Sequence, residues 1–139
     1  MGVYLLDTTT LTHLQRKHPK VNAAHAAHAG DVVGVTTVSV EEVVGGWFTA
    51  LRRAKTKAEE ARAAVSLGEA VSFIADFHIF PPTEAAIDRY VTLRKLRLNV
   101  GGMDLKIAAI ALELSATVVT DNARDFGRVP GLLWEDWTA

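Results

Sequence analysis

Apolar residues fall into short, β-branched runs that alternate along the chain with longer stretches of helical periodicity. Three runs predict buried strands: "VYLL" at 3–6, "DVVGVTTVS" at 31–39 and "ATVVT" at 116–120. Two further segments, "HIFPP" at 78–82 and "GLLW" at 131–134, predict a brief extended piece and a last short strand. Valine, isoleucine and aromatic residues are the types that fill buried strands.

Helical periodicity occupies most of the intervening sequence. Leu11 and Leu14 lie on one side of the first predicted helix, which ends before Pro19. A break is predicted near Gly68, within the longest helical segment. The last helix is almost entirely apolar, so it is predicted to be buried. The predicted helices span 8–18, 21–30, 40–77, 83–98 and 104–115.

Strands that alternate with helices predict an α/β fold with a mostly parallel sheet covered on both faces. The 139 residues fit one domain, 1–139, and contain no internal repeat, linker or low-complexity segment.

Composition narrows the functional classes. Hydrophobic residues make up 49% and charged residues 22%, as in a folded soluble protein. With no cysteine there is no disulfide framework, thiol nucleophile or thiolate zinc site. The net charge of −1 implies no nucleic-acid partner by itself, so such a partner needs a local basic patch. The sequence shows no secretory signal and no membrane-spanning run, so we expect a cytoplasmic protein.

Acidic side chains follow the predicted strands. Asp7 comes directly after the first strand and Glu42 three residues after the second, while Asp121 and Asp125 follow "ATVVT". Asp104 opens the helix that leads into that last strand. In parallel sheets the carboxyl ends of strands share one edge, where ligands bind. We therefore expect these carboxylates to meet.

Each acid also has a structural explanation. Asp7 and Asp104 are possible helix caps, Asp125 a possible turn residue, and the spacing of Ser39 and Glu42 fits a capping box. For four acids on one edge, a bound cation is favoured over these explanations because like charges held close repel. All-oxygen ligands without cysteine favour Mg²⁺ or Mn²⁺. Such ions support phosphodiester chemistry, and no G-x-S-x-G acyl-transfer motif is present.

Three segments carry a family resemblance. "YLLDTTTLTHL" resembles the opening of a PIN domain, with Asp7 as its first acid, and "TTVSVEEVVGG" is similar to the second PIN motif, with Glu42. The segment from Met103 to Trp137, "MDLKIAAIALELSATVVTDNARDFGRVPGLLWEDW", resembles the carboxyl-terminal part of VapC-type toxins and is the most specific match. In this segment Asp104 matches the third acid, and Asn122 and Asp125 match the position of the fourth.

The resemblance implies a three-layer α/β/α fold and a Mg²⁺- or Mn²⁺-dependent ribonuclease. It further implies an RNA substrate, a homodimer and a cognate VapB-like antitoxin that silences the toxin. The implied metal ligands and catalytic residues are Asp7, Glu42, Asp104 and Asp125, with Thr8, Asp121 and Asn122 as supporting polar groups. Thr9 departs from the pattern, which commonly has Asn or Asp there. The rival hypothesis is therefore a non-catalytic binding module of the same fold.

Two basic clusters are candidates for contacts with phosphates: Arg52, Arg53, Lys55 and Lys57, and then Arg89, Arg94, Lys95 and Arg97. The second precedes Asp104, so it is the better placed for RNA. Val43, Val44 and Trp47 form an apolar helix side on which an antitoxin helix would fit. His25 and His28 have a spacing that permits shared metal ligation, but surface histidines are the favoured interpretation.

Overall fold

A five-stranded parallel sheet forms the centre of the computed structural model, which describes residues 2–139. The strands are β1 (Val3–Leu6), β2 (Val32–Thr36), β3 (His78–Phe80), β4 (Thr117–Val119) and β5 (Leu133–Glu135), in the order β3-β2-β1-β4-β5. The helices are α1 (Thr8–Gln15), α2 (Pro19–Ala27), α3 (Thr37–Arg53), α4 (Lys57–Ile74), α5 (Glu84–Lys95), α6 (Gly102–Leu114) and α7 (Ala123–Phe126).

The two faces of the sheet bury separate core clusters. Leu5 of β1 packs on one face with α5 and α6, and α6 contributes the unbroken buried run 107–111. Leu6, the next residue, packs on the other face with Leu11 of α1 and Ile74 of α4. This alternation is the two-residue period of a strand. Two helical layers on one sheet confirm the predicted three-layer α/β/α architecture.

Strand order reverses between β1 and β4. From β1 the chain proceeds outwards through β2 to β3, and it later returns to the other side of β1 as β4. In open parallel sheets this switch point is where a crevice forms at the carboxyl edge. Asp7 directly follows β1, and Thr120 to Asn122 directly follow β4.

The predicted strand at 31–39 was too long. β2 ends at Thr36, whose hydroxyl accepts a hydrogen bond from the Ser39 backbone N–H at 3.2 Å and so caps α3. Ser39 therefore lies inside the first turn, with a buried hydroxyl that has no partner among the described residues. The predicted capping box of Ser39 and Glu42 is wrong because the cap lies three residues earlier.

The predicted break near Gly68 is also wrong. Gly68 is exposed within α4, and the long helical segment breaks instead between Arg53 and Lys57. Thr56 caps α4 by accepting the Glu59 N–H at 3.1 Å, while Glu59 accepts the Lys55 N–H at 3.1 Å. An exposed glycine costs a helix only about 1 kcal/mol, which does not end it.

The other segments agree with the predicted elements apart from their ends and one short helix. α2 begins at Pro19, two residues before the predicted start, with proline in its first turn. α7 was not predicted as a helix. None of the helices in residues 2–139 has the length and apolarity that crossing a bilayer requires.

Candidate active site

Backbone and hydroxyl hydrogen bonds join the carboxyl ends of β1 and β4. The Asp7 N–H and the Thr10 hydroxyl both donate to the Val119 carbonyl, each at 3.0 Å. Thr10 and Thr120 are fully or almost fully buried. These hydrogen bonds therefore hold the start of α1 against the end of β4 at the position where Asp7 follows β1.

Asp7 is both a helix cap and a member of the acidic group. Its Oδ1 accepts the Thr10 N–H at 2.8 Å at the start of α1, and only 5% of the residue is exposed. Burial raises the pKa of Asp7, hydrogen bonds from Thr120 and Thr10 oppose that rise, and the charge of Asp121 adds to it. The capping explanation was thus correct for Asp7, and it does not exclude a role in a site.

Glu42 lies in the second turn of α3 and faces α1. Its Oε1 accepts a hydrogen bond from the Thr8 hydroxyl at 2.7 Å. Because Thr36 caps the N-terminus of α3, the Glu42 carboxylate is not needed to cap this helix. Thr8 therefore orients the Glu42 carboxylate, while the supporting role of Thr8 in a metal site stays a prediction.

Asp104 lies in the first turn of α6 without capping it. Gly101 occupies the cap position, and no side chain bonds the free N–H groups there. The pKa of Asp104 is raised to about 6, first by burial and then by the negative charges of Asp7, Glu42 and Asp125. The fold therefore brings the other three predicted acids within electrostatic range of Asp104.

Asp125 is held on both sides by donors. The Asn122 side-chain amide donates to Oδ2 at 3.0 Å, and Arg128 Nη1 lies 3.5 Å from Oδ1. The Asn122 backbone N–H donates in turn to the Thr120 hydroxyl at 2.9 Å. Arg128 was missed in the sequence because an isolated arginine in the loop between α7 and β5 carries no spacing signal.

The donor chemistry of these residues fits a hard divalent cation. The negative charges of Asp7, Glu42 and Asp125 raise the pKa of Asp104, so a positive charge at Asp104 is favoured, and carboxylate oxygens are the ligands of Mg²⁺ and Mn²⁺. Within residues 2–139, however, no three histidine or acidic side chains are already arranged to hold an ion. The carboxylates are neighbours, with Asp7, Glu42 and Asp125 turned towards protein donors.

Comparison with known proteins identifies the family. The model of the PIN domain matches residues 4–132. The chain belongs to the PIN domain family. Ribonuclease VapC1 of Haemophilus influenzae (strain R2866) is 29% identical over 142 residues, which cover 98% of both chains.

Solved structures share the fold. A chain of DNA-bound VapBC from Salmonella typhimurium is 25% identical, with a TM-score of 0.75 and 99% of both chains covered. A chain of VapBC2 from Rickettsia felis, bound to a DNA fragment from their promoter, has a TM-score of 0.77 at 24% identity, covering 97% of this chain and 98% of that one.

Two positions of this PIN domain lie apart from the four acids. Thr9, where the family commonly has Asn or Asp, is exposed, whereas Thr8 and Thr10 on either side bond Glu42 and Asp7. Asp121 is exposed and contacts His13, with Oδ2 and Nε2 3.2 Å apart. Asp121 acts on the pKa of Asp7 but is not among the charges that raise the pKa of Asp104.

His25 in α2 and His28, which directly follows that helix, contact different neighbours. His25 packs near Phe77, with ring centroids 5.8 Å apart, while His28 stacks on Trp137 at 4.7 Å. His28 Nδ1 also lies 2.6 Å from the Ala24 carbonyl. Each ring therefore has its own packing partner, and both residues are partly buried rather than exposed.

The predicted antitoxin face divides between core and surface. Val43 and Val44 pack against the core cluster that contains Leu6. Trp47 lines a cavity of about 420 Å³ between α3 and α4, together with Arg53 and Arg62.

Proposed function

We propose that this PIN domain is a Mg²⁺- or Mn²⁺-dependent endoribonuclease of the VapC type that serves as the toxin of a toxin–antitoxin pair. The observation that carries the proposal is the convergence of acidic side chains at the carboxyl edge of the sheet, where the charges of Asp7, Glu42 and Asp125 all act on the half-buried Asp104. Similarity to Ribonuclease VapC1 over 98% of both chains supports RNA as the substrate.

Four carboxylates would hold the ion: Asp7, Glu42, Asp104 and Asp125. The bound ion would supply positive charge that polarises a phosphodiester and activates water. Thr8 and Asn122 keep Glu42 and Asp125 oriented through hydrogen bonds of 2.7 and 3.0 Å. Such outer contacts commonly change metal affinity or activity by roughly 10–100-fold when removed.

Asp104 and Asp7 have different places in the proposed site. Burial and the charges of Asp7, Glu42 and Asp125 raise the pKa of Asp104 in the metal-free protein, so Asp104 gains most from a bound cation. Asp7 is 5% exposed, and its Oδ1 accepts the Thr10 N–H. We therefore assign Asp104 to holding the ion and Asp7 to fixing the site on the sheet.

RNA cleavage by the purified protein tests the proposal. Total bacterial RNA incubated with Mg²⁺ or Mn²⁺ should be cut at internal sites, and EDTA should stop the cutting. Sequencing the new RNA ends would then identify the substrate. Intact RNA with either metal, from folded protein free of any antitoxin, would contradict the proposed activity.

The proposed partner is a VapB-like antitoxin. The cavity of about 420 Å³ that Trp47 lines lies between two long helices, and its lining combines apolar residues with the charged residues Arg53, Glu59 and Arg62, which suits an amphipathic helix. Expression of the chain in the bacterial cytoplasm should arrest growth, and co-expression of the adjacent small gene should relieve the arrest. Unimpaired growth at a high level of folded protein would contradict the toxin role.

A homodimer is the second proposed association. Ile87 and Val91 on α5 are 52% and 46% exposed, and they border a cavity of about 440 Å³ with Val38 and Ile110. Apolar residues exposed on one helix face favour contact with another chain. Analytical ultracentrifugation should give a dimer that Ile87→Glu converts to monomer. A wild-type monomer at all concentrations would contradict it.

One observation favours the alternative function, a non-catalytic PIN module. No three acidic or histidine side chains of residues 2–139 form a ready metal-holding group. Binding of RNA without cleavage in either metal would support this alternative. Metal-dependent cleavage would exclude it.

A further inference from the structure

Arg128 places a positive charge at the edge of the acidic group. Its Nη1 donates to the Asn99 carbonyl at 2.9 Å and lies 3.5 Å from Asp125 Oδ1. One third of the Arg128 side chain, 34%, remains exposed. The carbonyl therefore fixes the guanidinium in place while leaving part of it open to a ligand.

Asn99 belongs to the loop between α5 and α6, and two more arginines lie at this loop. Arg94 and Arg97 line a cavity of about 330 Å³ that also includes Asn99 and Gly102. Arg97 and Asn99 adopt left-handed backbone conformations, with φ of 52° and 59°. Among the described residues neither Arg94 nor Arg97 has a carboxylate partner.

Arg89 differs from the other arginines of the predicted second basic cluster. Its Nε donates to Glu113 Oε1 at 2.6 Å, so its charge is already neutralised by a carboxylate. Arg94, in contrast, lies over the ring of Tyr90 at 5.8 Å, which leaves its donors free. Within the second basic cluster, the charges that no carboxylate of residues 2–139 neutralises therefore belong to Arg94, Lys95 and Arg97, next to or in the loop at 96–101.

Resting on the proposed ribonuclease function, we propose that the RNA backbone reaches the carboxylates along this loop. Arg94 and Arg97 bind phosphates in the cavity, and Arg128 binds the phosphate closest to the acids. Arginine suits this role because its planar guanidinium offers several donors to phosphate oxygens and is always charged. Arg128 also offsets the repulsion between that phosphate and Asp125.

The proposal predicts a specific salt dependence. Each phosphate contact in single-stranded nucleic acid contributes about 0.7 to the slope of log affinity against log salt concentration. Loss of one contact should therefore lower the slope by about 0.7 and weaken binding about fivefold near 0.1 M salt.

Fluorescence anisotropy with a labelled, mixed-sequence, single-stranded RNA measures both quantities. The parent protein carries Asp104→Asn so that the RNA stays intact, and Mg²⁺ is present throughout. Arg97→Gln and Arg128→Gln should each lower the salt slope by about 0.7 and weaken RNA binding about fivefold near 0.1 M salt. Arg124→Gln and Arg52→Gln are the matched controls, because both arginines are exposed and lie outside the cavity and the Asp125 contact, and their affinities should stay within about twofold of the parent.

Arg128→Lys separates charge from structural support. It keeps the positive charge but not the planar donor group, so its salt slope should match that of the parent. The proposal would be overturned if the salt slope of Arg128→Gln equalled that of the parent. It would also be overturned if Arg124→Gln lost as much affinity for RNA as Arg128→Gln. Absence of RNA binding by the parent would also overturn it.

Cleavage by the wild type decides the underlying function separately. Metal-dependent cleavage with unchanged binding in Arg97→Gln and Arg128→Gln would reject only the RNA path. Absence of cleavage, with binding losses confined to those variants, would keep the path and reject the ribonuclease.

Discussion

The starts of α1 and α6 both carry an aspartate of the acidic group, but they use it differently. Asp7 caps α1, accepts the Thr10 N–H, and receives further hydrogen bonds that oppose the rise of its pKa. Asp104 leaves the capping of α6 to Gly101, and no hydrogen bond from residues 2–139 opposes the rise of its pKa to about 6. Asp7 therefore has a structural use without any cation. The ionised Asp104 carboxylate is destabilised by burial and by three neighbouring negative charges, and a bound cation or a proton relieves that repulsion.

The largest expected effect is on catalysis by Asp104→Asn. Removal of outer contacts at metal sites costs roughly 10–100-fold, so loss of a proposed ligand should lower RNA cleavage by more than about 100-fold. The fold should persist because the Asp104 side chain caps nothing. Asp88→Asn, which removes an exposed carboxylate of α5, is the control and should cut normally. Cleavage by Asp104→Asn at the wild-type rate would remove Asp104 from the site.

The second largest expected effect is a difference in stability between variants of Asp7 and variants of Asp104. Asp7→Ala removes a cap and should lower the free energy of unfolding by about 1–2 kcal/mol, whereas Asp7→Asn keeps a capping oxygen and should lose less. Asp104→Ala should not destabilise the metal-free protein at pH 7, because it removes a mutually repelling charge. Urea denaturation in EDTA measures all three variants. A larger loss in Asp104→Ala than in Asp7→Ala would contradict the comparison.

The pH dependence of stability offers a smaller effect. The folded pKa of Asp104 lies above its unfolded value of 3.8, so the folded state binds the proton more tightly. Stability from this group is therefore present below about pH 4 and is lost as pH rises through about 6. After allowance for solvent screening the loss is of order 1 kcal/mol.

Metal-free denaturation from pH 4 to 7 tests this dependence. As the pH rises from 4 to 7, the wild type should lose unfolding free energy at Asp104, whereas Asp104→Asn should not. The variant should therefore become more stable relative to the wild type at the higher pH. Asp88→Asn should run parallel to the wild type. Parallel curves for all three proteins would show that Asp104 titrates normally.

Glu42→Gln should have the smallest effect on stability. Thr36 caps α3, and a glutamine carbonyl still accepts from Thr8, so the metal-free change should stay under about 1 kcal/mol. In the wild type, Mg²⁺ or Mn²⁺ should raise the melting temperature by mass action, and that gain should shrink in the variant. Glu41→Gln, at the exposed neighbouring position, is the control. An undiminished metal shift in Glu42→Gln would remove Glu42 from the ligand set.

Sequence patterns predicted elements better than their ends. The apolar run of α6 and the β-branched strands were identified because burial on a sheet imposes their periodicity. The end of β2 was missed because "TTVS" contains several possible caps and suits a strand equally well. The Thr56 cap of α4 fits the pattern Thr-x-x-Glu, whereas a lone exposed glycine such as Gly68 does not end a helix.

The candidate site was predicted from strand ends because a parallel sheet brings those ends together. The charges of Asp7, Glu42 and Asp125 do act on Asp104, although the sequence did not distinguish the hydrogen-bond partners of these acids. The order β3-β2-β1-β4-β5 and the contact of Arg128 with Asn99 depend on long-range packing that no local pattern encodes.

The central claim is that a divalent cation relieves the charge at Asp104. An NMR titration of the Asp104 side-chain carboxyl carbon, in EDTA and then in saturating Mg²⁺, tests this claim directly. The metal-free protein should titrate with a pKa of about 6. Mg²⁺ should lower that pKa to below about 5, as a nearby opposite charge does. The same midpoint in both conditions would contradict the proposed metal site.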